Sequence, residues 1–339
     1  MTISVPLSIL DLSRIRPGET VSDSISRSVR LAQAADALGY NRVWFSEHHN
    51  TSSIASAATS LVIQHVAALT NRIRVGAGGI MLPNHSPMVV AEQFGTLAAL
   101  YPERIDLGLG RAPGTDLATV RALRRTGREA QSFPDDVVEL HGLLSQSSPI
   151  PGVEAHPGSG SEVPLFILGS SMFGAHLAAQ LGLPYAFASH FAPAMLHEAA
   201  RVYRQNFDTE GPLAPAGATP WFMAAVNVIA ADSADDAREQ QAKTEDEWLQ
   251  SALGRVQQLD ADQLAAVRHH PQGQQVLAML SQSYVGEVDT VTDGLDRLAA
   301  EIKADEFILV NMAHDEAYGL RALELLAPVA GPVGQHRQH

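Results

Sequence analysis

A (β/α)8 barrel, the TIM-barrel class of α/β fold, is predicted for this 339-residue chain by three observations. Strand-type and helix-type runs alternate eight times along it. Two of the strands end in glycine-bearing segments that packing alone does not select, VGAGG at 75–79 and GLGRAPG at 108–114, and an α/β fold places ligands at such strand ends. Apolar residues make up 45% of the chain and cysteine is absent, so one large core forms without disulfides, thiolate metal ligands or a cysteine nucleophile.

Each element follows from its local pattern. Residues 5–11 form the first strand, and 22–38 a helix with Ile25, Val29, Ala32 and Leu38 on one face and Gly39 as its C-terminal stop. Strand 41–46 leads to an alanine-rich helix over 54–69, whose Ala55, Ala58, Ala67 and Ala68 are read as one small-residue face suited to a homodimer. Strand 73–82, helix 88–100 and strand 104–109 come next. Residues 117–133, with Arg121, Arg124, Arg125 and Arg128, read as a basic, mobile excursion, 135–144 as a helix, and the Pro/Gly/Ser-rich 147–163 as an insertion. Strand 164–168, helix 172–181, strand 185–188, helix 194–207 and strand 222–230 resume the alternation. The charged run 235–253 reads as a helix with a solvated face, and 255–283 as a second insertion, helical from 259. Helix 292–302, strand 306–310 and helix 316–327 close the barrel. The expectation is a single domain over 1–330 with a disordered tail at 331–339.

A formal charge of -14 argues against nucleic acid and anionic membranes as partners. The N-terminus lacks a basic segment followed by an apolar core, and no apolar run is long enough to span a bilayer, so the chain is read as cytoplasmic.

The segments EHHN (47–50), VGAGGIMLPNHSP (75–87), GLGRAPG (108–114) and LGSS (168–171), in this order and spacing, resemble the bacterial-luciferase-like flavin monooxygenases, closest to the short single-polypeptide members. The resemblance implies a barrel with reduced FMN, or the deazaflavin F420 in some branches, bound at its C-terminal mouth. It places a non-proline cis peptide at Gly78–Gly79 beneath the flavin ring, with Gly79→Val expected to harm flavin binding more than stability. It gives Arg111 the flavin phosphate, for which a planar fork of donors is suited, with Ser170 and Ser171 at a helix start beside it. It makes His48 the functional histidine, an imidazole able to act as a base near neutral pH. Luciferase carries a cysteine where this chain has Gly110, a change expected to open space over the ring; light emission is therefore not carried over.

Adjacent residues of an extended segment face opposite ways, so His48 and His49 are not read as joint ligands of one metal, and no metal site is expected. Glu47 and His49 are read as scaffold, and His190, Asn84 and His85 as polar residues of the mouth. GLGRAPG is not a dinucleotide fingerprint, which leaves NAD(P)H at most a transient reductant. The function expected is an FMN-dependent monooxygenase or oxidoreductase acting with O2 on a small organic substrate, supplied with reduced flavin by an NAD(P)H:flavin reductase or reduced in place. An F420-dependent hydride-transfer enzyme is the nearest alternative. A metal-dependent barrel hydrolase and a non-catalytic flavin-binding protein are the more distant ones.

Overall fold

The computed structural model describes residues 3–112, 115–253 and 259–328. Pro113 and Gly114 of the GLGRAPG motif, residues 255–258 of the second insertion and the tail 331–339 lie outside the described residues.

The strands are β1 (Leu7–Asp11), β2 (Arg42–Phe45), β3 (Arg74–Met81), β4 (Ile105–Gly110), β5 (Leu165–Gly169), β6 (Tyr185–Phe187), β7 (Phe222–Ala231), β8 (Ser283–Glu287) and β9 (Glu306–Asn311). Every pairing between them is parallel. β1 to β7 pair in chain order, and β9 joins β7 to β1, which closes an eight-stranded ring. The sequence reading treated 259–283 as helical and did not recognise β8. This strand pairs outside the ring with the second half of β7, from Asn227↔Ser283 to Ala231↔Glu287. It follows two short helices, Ala261–His269 and Pro271–Ala278, and runs directly into the helix Val288–Ile302.

Period-two alternation divides each strand between two environments. On β1 and β2, Leu7, Ile9, Val43 and Phe45 join the apolar layer between strands and helices, while Leu10 and Trp44 join a smaller cluster with Phe166, Met223 and Ile308 inside the ring. The first helix, Val21–Leu38, opens with a Thr20/Asp23 capping box and ends at Gly39 in the left-handed conformation, φ 85°, which glycine adopts without steric cost.

Two expectations need correction. The helix expected over 54–69 begins at Thr59, so Ala55 and Ala58 precede it, Ala67 is buried and Ala68 is exposed; the four alanines do not form one helical face. Residues 117–133 fold into the helix Leu117–Ala122 and a 3-10 turn at Glu129–Gln131, with the Nε of Arg125 donating to the Asn84 carbonyl at 3.2 Å.

Candidate active site

The C-terminal ends of the ring strands carry the residues that the sequence singled out, in two groups. The first lies at the ends of β3, β4 and β5. The Gly78–Gly79 peptide is cis, and the β3–β4 register slips there, between Ala77 and Ile80. These glycines are required by close packing. A Cβ on Gly79 would stand 2.6 Å from the Gly108 carbonyl oxygen, and one on Gly78 would stand 2.9 Å from both Leu10 and Trp44. Gly79→Val therefore strikes backbone and costs stability, contrary to the expectation that binding suffers first. Gly110 is likewise not an opening: its missing Cβ direction meets the Met81 sulfur at 2.9 Å, so glycine here admits the methionine.

Arg111 follows β4 directly, and its exposed side chain lies over the Phe173 ring, 3.9 Å from the centroid. Phe173 is the second residue of the helix Met172–Leu181, so the guanidinium stands at the start of that helix. Ser171 occupies the N-cap without making a side-chain capping bond, and Ser170 immediately precedes it. The hydroxyl is thus not engaged in the capping that would give it a purely structural role, and the first-turn N–H groups are donors suited to an anion. Arg111, with no ion-pair partner among the described residues, adds the charge.

The second group surrounds a cavity of about 720 Å³ between the ends of β1, β2, β6 and β9 and the helix Ala234–Leu253. His48, His190, Arg14, Trp248 and Met312 line it. His48 and His190 each have a buried Nδ1 with no hydrogen-bond partner. Burial lowers the pKa of His48, aided by His49 and Arg14 and opposed by Glu47, so the ring is held neutral and able to accept a proton. His190 is pushed down to about 3, chiefly by burial and further by Arg14 and His48.

His49 and His85 turn away from this cavity. Their Nε2 atoms lie 2.7 and 2.8 Å from the same Oε1 of Glu47, whose Oε2 accepts the Met81 N–H at 3.1 Å. Burial alone would raise the Glu47 pKa, but the bonds from His49, His85 and Met81 hold it below the usual carboxylate range. This trio is also a set of metal-ligating type. Two ligands on one zinc ion at ~2.0 Å in tetrahedral geometry stand ~3.3 Å apart, so the observed separations are those of hydrogen bonds. Glu47 ties the end of β2 to the end of β3, the scaffold role expected of it. Asn84 is buried beneath Arg125.

Sequence reasoning missed Arg14 and Trp248. Arg14 follows β1, on the loops where barrel folds carry function, and the SRIRPG run was a usable signal. Trp248 was hidden within a helix read as solvated.

A parallel barrel with polar groups gathered at its C-terminal mouth defines a barrel enzyme of the ligand-at-the-strand-ends kind. The family profile described as luciferase-like monooxygenase matches residues 5–306, and the chain belongs to that family, hence to an oxidoreductase class acting on small substrates with O2. A luciferase-like monooxygenase of Escherichia coli (strain K12) is 43% identical over 332 residues, 96% of this chain and 97% of the relative. The solved structure of apo-MsnO8 is 36% identical, covers 95% of this chain and 97% of its own, and superposes with a TM-score of 0.85. Two more distant solved structures share the fold. The oxygenating constituent of 3,6-diketocamphane monooxygenase from Pseudomonas putida, in complex with FMN, has a TM-score of 0.73 at 16% identity, covering 96% of this chain and 97% of its own. An F420-dependent secondary alcohol dehydrogenase has a TM-score of 0.70 at 15% identity, covering 97% and 99%. Among the described residues, no helix is long and apolar enough to cross a membrane.

Proposed function

We propose that this protein is an FMN-dependent monooxygenase that uses reduced FMN and O2 to oxidise a small organic substrate. The observation that carries the reading is the pairing of an uncommitted cation, Arg111 on Phe173, with the start of the Met172–Leu181 helix, in a barrel whose mouth also has a cavity lined by a neutral histidine. Arg111 and the N–H and hydroxyl groups at Ser170 and Ser171 would hold the phosphate. The β3 turn at Gly78–Gly79 would pass beneath the ring, and Met81, filling the direction left open by Gly110, would bear on the same face.

When bound, the flavin supplies the electrons and activates O2; the chain's part is to orient the ring, keep water out and manage protons. His48 is the candidate base. Its depressed pKa keeps the ring unprotonated at neutral pH, and its unpartnered Nδ1 leaves a proton-accepting position free. An NAD(P)H:flavin reductase would deliver the reduced flavin. The F420 reading shares the phosphate-type cradle but requires a cofactor that does not activate O2.

Titration of the apo-protein with FMN, FMNH2 and F420 separates the readings. FMNH2 should bind, and on stopped-flow mixing with O2 the complex should give an oxygen-dependent flavin transient that outlives free flavin oxidation. Binding of F420 with no affinity for either FMN form would replace this reading by the hydride-transfer one.

A further inference from the structure

One wall of the cavity carries a cation that no side chain among the described residues pairs with directly. The Arg14 guanidinium makes no hydrogen bond and no ion pair among the described residues. It lies over the Trp248 ring, 5.5 Å from the centroid, and faces the cavity. Arg14 is half-buried, and charges withdrawn even partly from water are ordinarily paired, because desolvation without a partner is costly. The basic groups at the base of the same barrel obey that rule: Arg42 is bonded to Asp106 at 2.9 Å and to Glu306 at 2.8 Å. The carboxylates nearest to Arg14, Asp11 and Glu247, act on it through space and form no ion pair with it. Asp11 accepts the Ser13 N–H at 2.8 Å, and Glu247 stands 2.7 Å from His314 Nδ1. At the outer rim Arg27 is paired with Glu19 and Glu316 with Arg30, while Arg16 adds a second cation to the lining. The rest of the lining is mainly apolar, including Leu12, Ile54, Phe191, Met279 and Leu320.

We infer that the cavity takes an organic acid, its carboxylate held by Arg14 over Trp248 and its apolar body lying along the mouth towards His48 and His190. A guanidinium offers a fork of donors that matches a carboxylate, and stacking on an indole fixes the plane of that fork. The volume suits such a ligand, since pockets for small molecules span ~300–1,000 Å³ and combine apolar walls with a few fixed polar groups. The assignment of this acid as substrate rests on the oxygenase reading; its binding does not.

The test uses octanoate and octanamide, which differ in charge and little in shape, titrated calorimetrically into the full-length protein at neutral pH, with FMN titrated in parallel. Octanoate should bind at least roughly tenfold more tightly than octanamide, the scale of one charge-assisted contact. Arg14→Gln should remove that preference and leave octanamide affinity within about threefold, and Arg14→Lys should restore part of it. Octanoate binding should persist in protein saturated with FMN. Equal affinity for acid and amide, binding of neither, or abolition of octanoate binding by FMN overturns the inference, the last because Arg14 would then serve the flavin. Failure of FMN to bind while Arg14-dependent acid preference remains would remove the oxygenase reading and keep the acid site.

Discussion

The two ends of the barrel contain similar residues used in opposite ways. At the N-terminal end, Arg42 bridges Asp106 and Glu306, and Arg74 bonds Asp106 at 2.5 Å. Trp44 Nε1 donates to Asp106 at 3.0 Å, Trp221 Nε1 to Glu306 at 3.3 Å, and the Ser8 hydroxyl to Glu306. At the mouth, half-buried Arg14 has no hydrogen-bond or ion-pair partner among the described residues, and Trp248 Nε1 and the Nδ1 atoms of His48 and His190 are buried without one. A buried charge is tolerated when its partners are built in, as they are below, and unsatisfied polar groups in a native fold call for an explanation. The contrast separates the half of the barrel whose polar groups satisfy one another from the half where several do not.

The largest effect should come from breaking the satisfied end. Asp106 is fully buried; burial would raise its pKa, but Arg42 and Arg74 hold it below the usual range. Asp106→Ala leaves two guanidiniums short of a partner, and removing one side of a buried pair costs ~3–5 kcal/mol. Denaturant unfolding should show that loss, while FMN affinity of the folded fraction changes little. A loss below about 1 kcal/mol would mean that the network is not what holds this end together.

The second effect is catalytic. His48→Gln should slow substrate oxidation by roughly 10²-fold or more while stability stays within about 1 kcal/mol, because its Nδ1 gives up no bond on substitution. In the wild type, the acid limb of kcat/KM should lie below ~6.5, the ordinary imidazole value, because burial depresses the His48 pKa. Full turnover in His48→Gln would return this histidine to the scaffold and move the search for a base to His190.

A third experiment tests the mouth through pH. His190 has a folded pKa of about 3, so between there and ~6.5 the unfolded chain binds more protons and stability falls as pH falls. At pH 4.5 the wild type should have lost about 2.7 kcal/mol through this group, from two units at ~1.36 kcal/mol each. His190→Gln should lack that part of the pH dependence, whatever its own cost at pH 7. Unfolding of both proteins at pH 7 and 4.5 isolates the difference, since the carboxylates titrate in both. Equal pH slopes would show that His190 is solvated through the cavity.

Much of this arrangement was legible in the sequence because it is local. Strand and helix patterns repeat with fixed periods, glycines mark close approaches, and Gly39 marks a helix end within one turn. β8 was not legible, since SYVGE is five residues long and its partners on β7 lie 56 positions away. The alanine face failed because the helix begins at Thr59, a boundary that packing sets and composition does not. At the mouth, the position of His48, Arg111, Ser170 and Ser171 after strand ends was readable from the motifs, and the structure has them there. Arg14 and Trp248 gain their meaning from each other across 234 positions, and no single-element pattern records such a meeting. Gly110 shows the same limit: the residue is readable as small, but that Met81 fills the space beside it is a tertiary fact.

The smallest effect expected is at Arg111, an exposed cation, and it distinguishes a ligand group from a structural one. Its contact with Phe173 alone would give the residue a modest packing role, since exposed cation–π pairs contribute only ~0.5–1 kcal/mol. A phosphate contact adds a charge-assisted bond that is partly screened at this surface, so Arg111→Ala should weaken FMN binding by about tenfold or somewhat more. Riboflavin has the same ring system and no phosphate, and its affinity should change less than about twofold, within ~0.4 kcal/mol. Raising the salt concentration should narrow the gap between wild type and Arg111→Ala for FMN and leave riboflavin unmoved. Equal weakening of both ligands would assign Arg111 to holding Phe173 and the start of its helix.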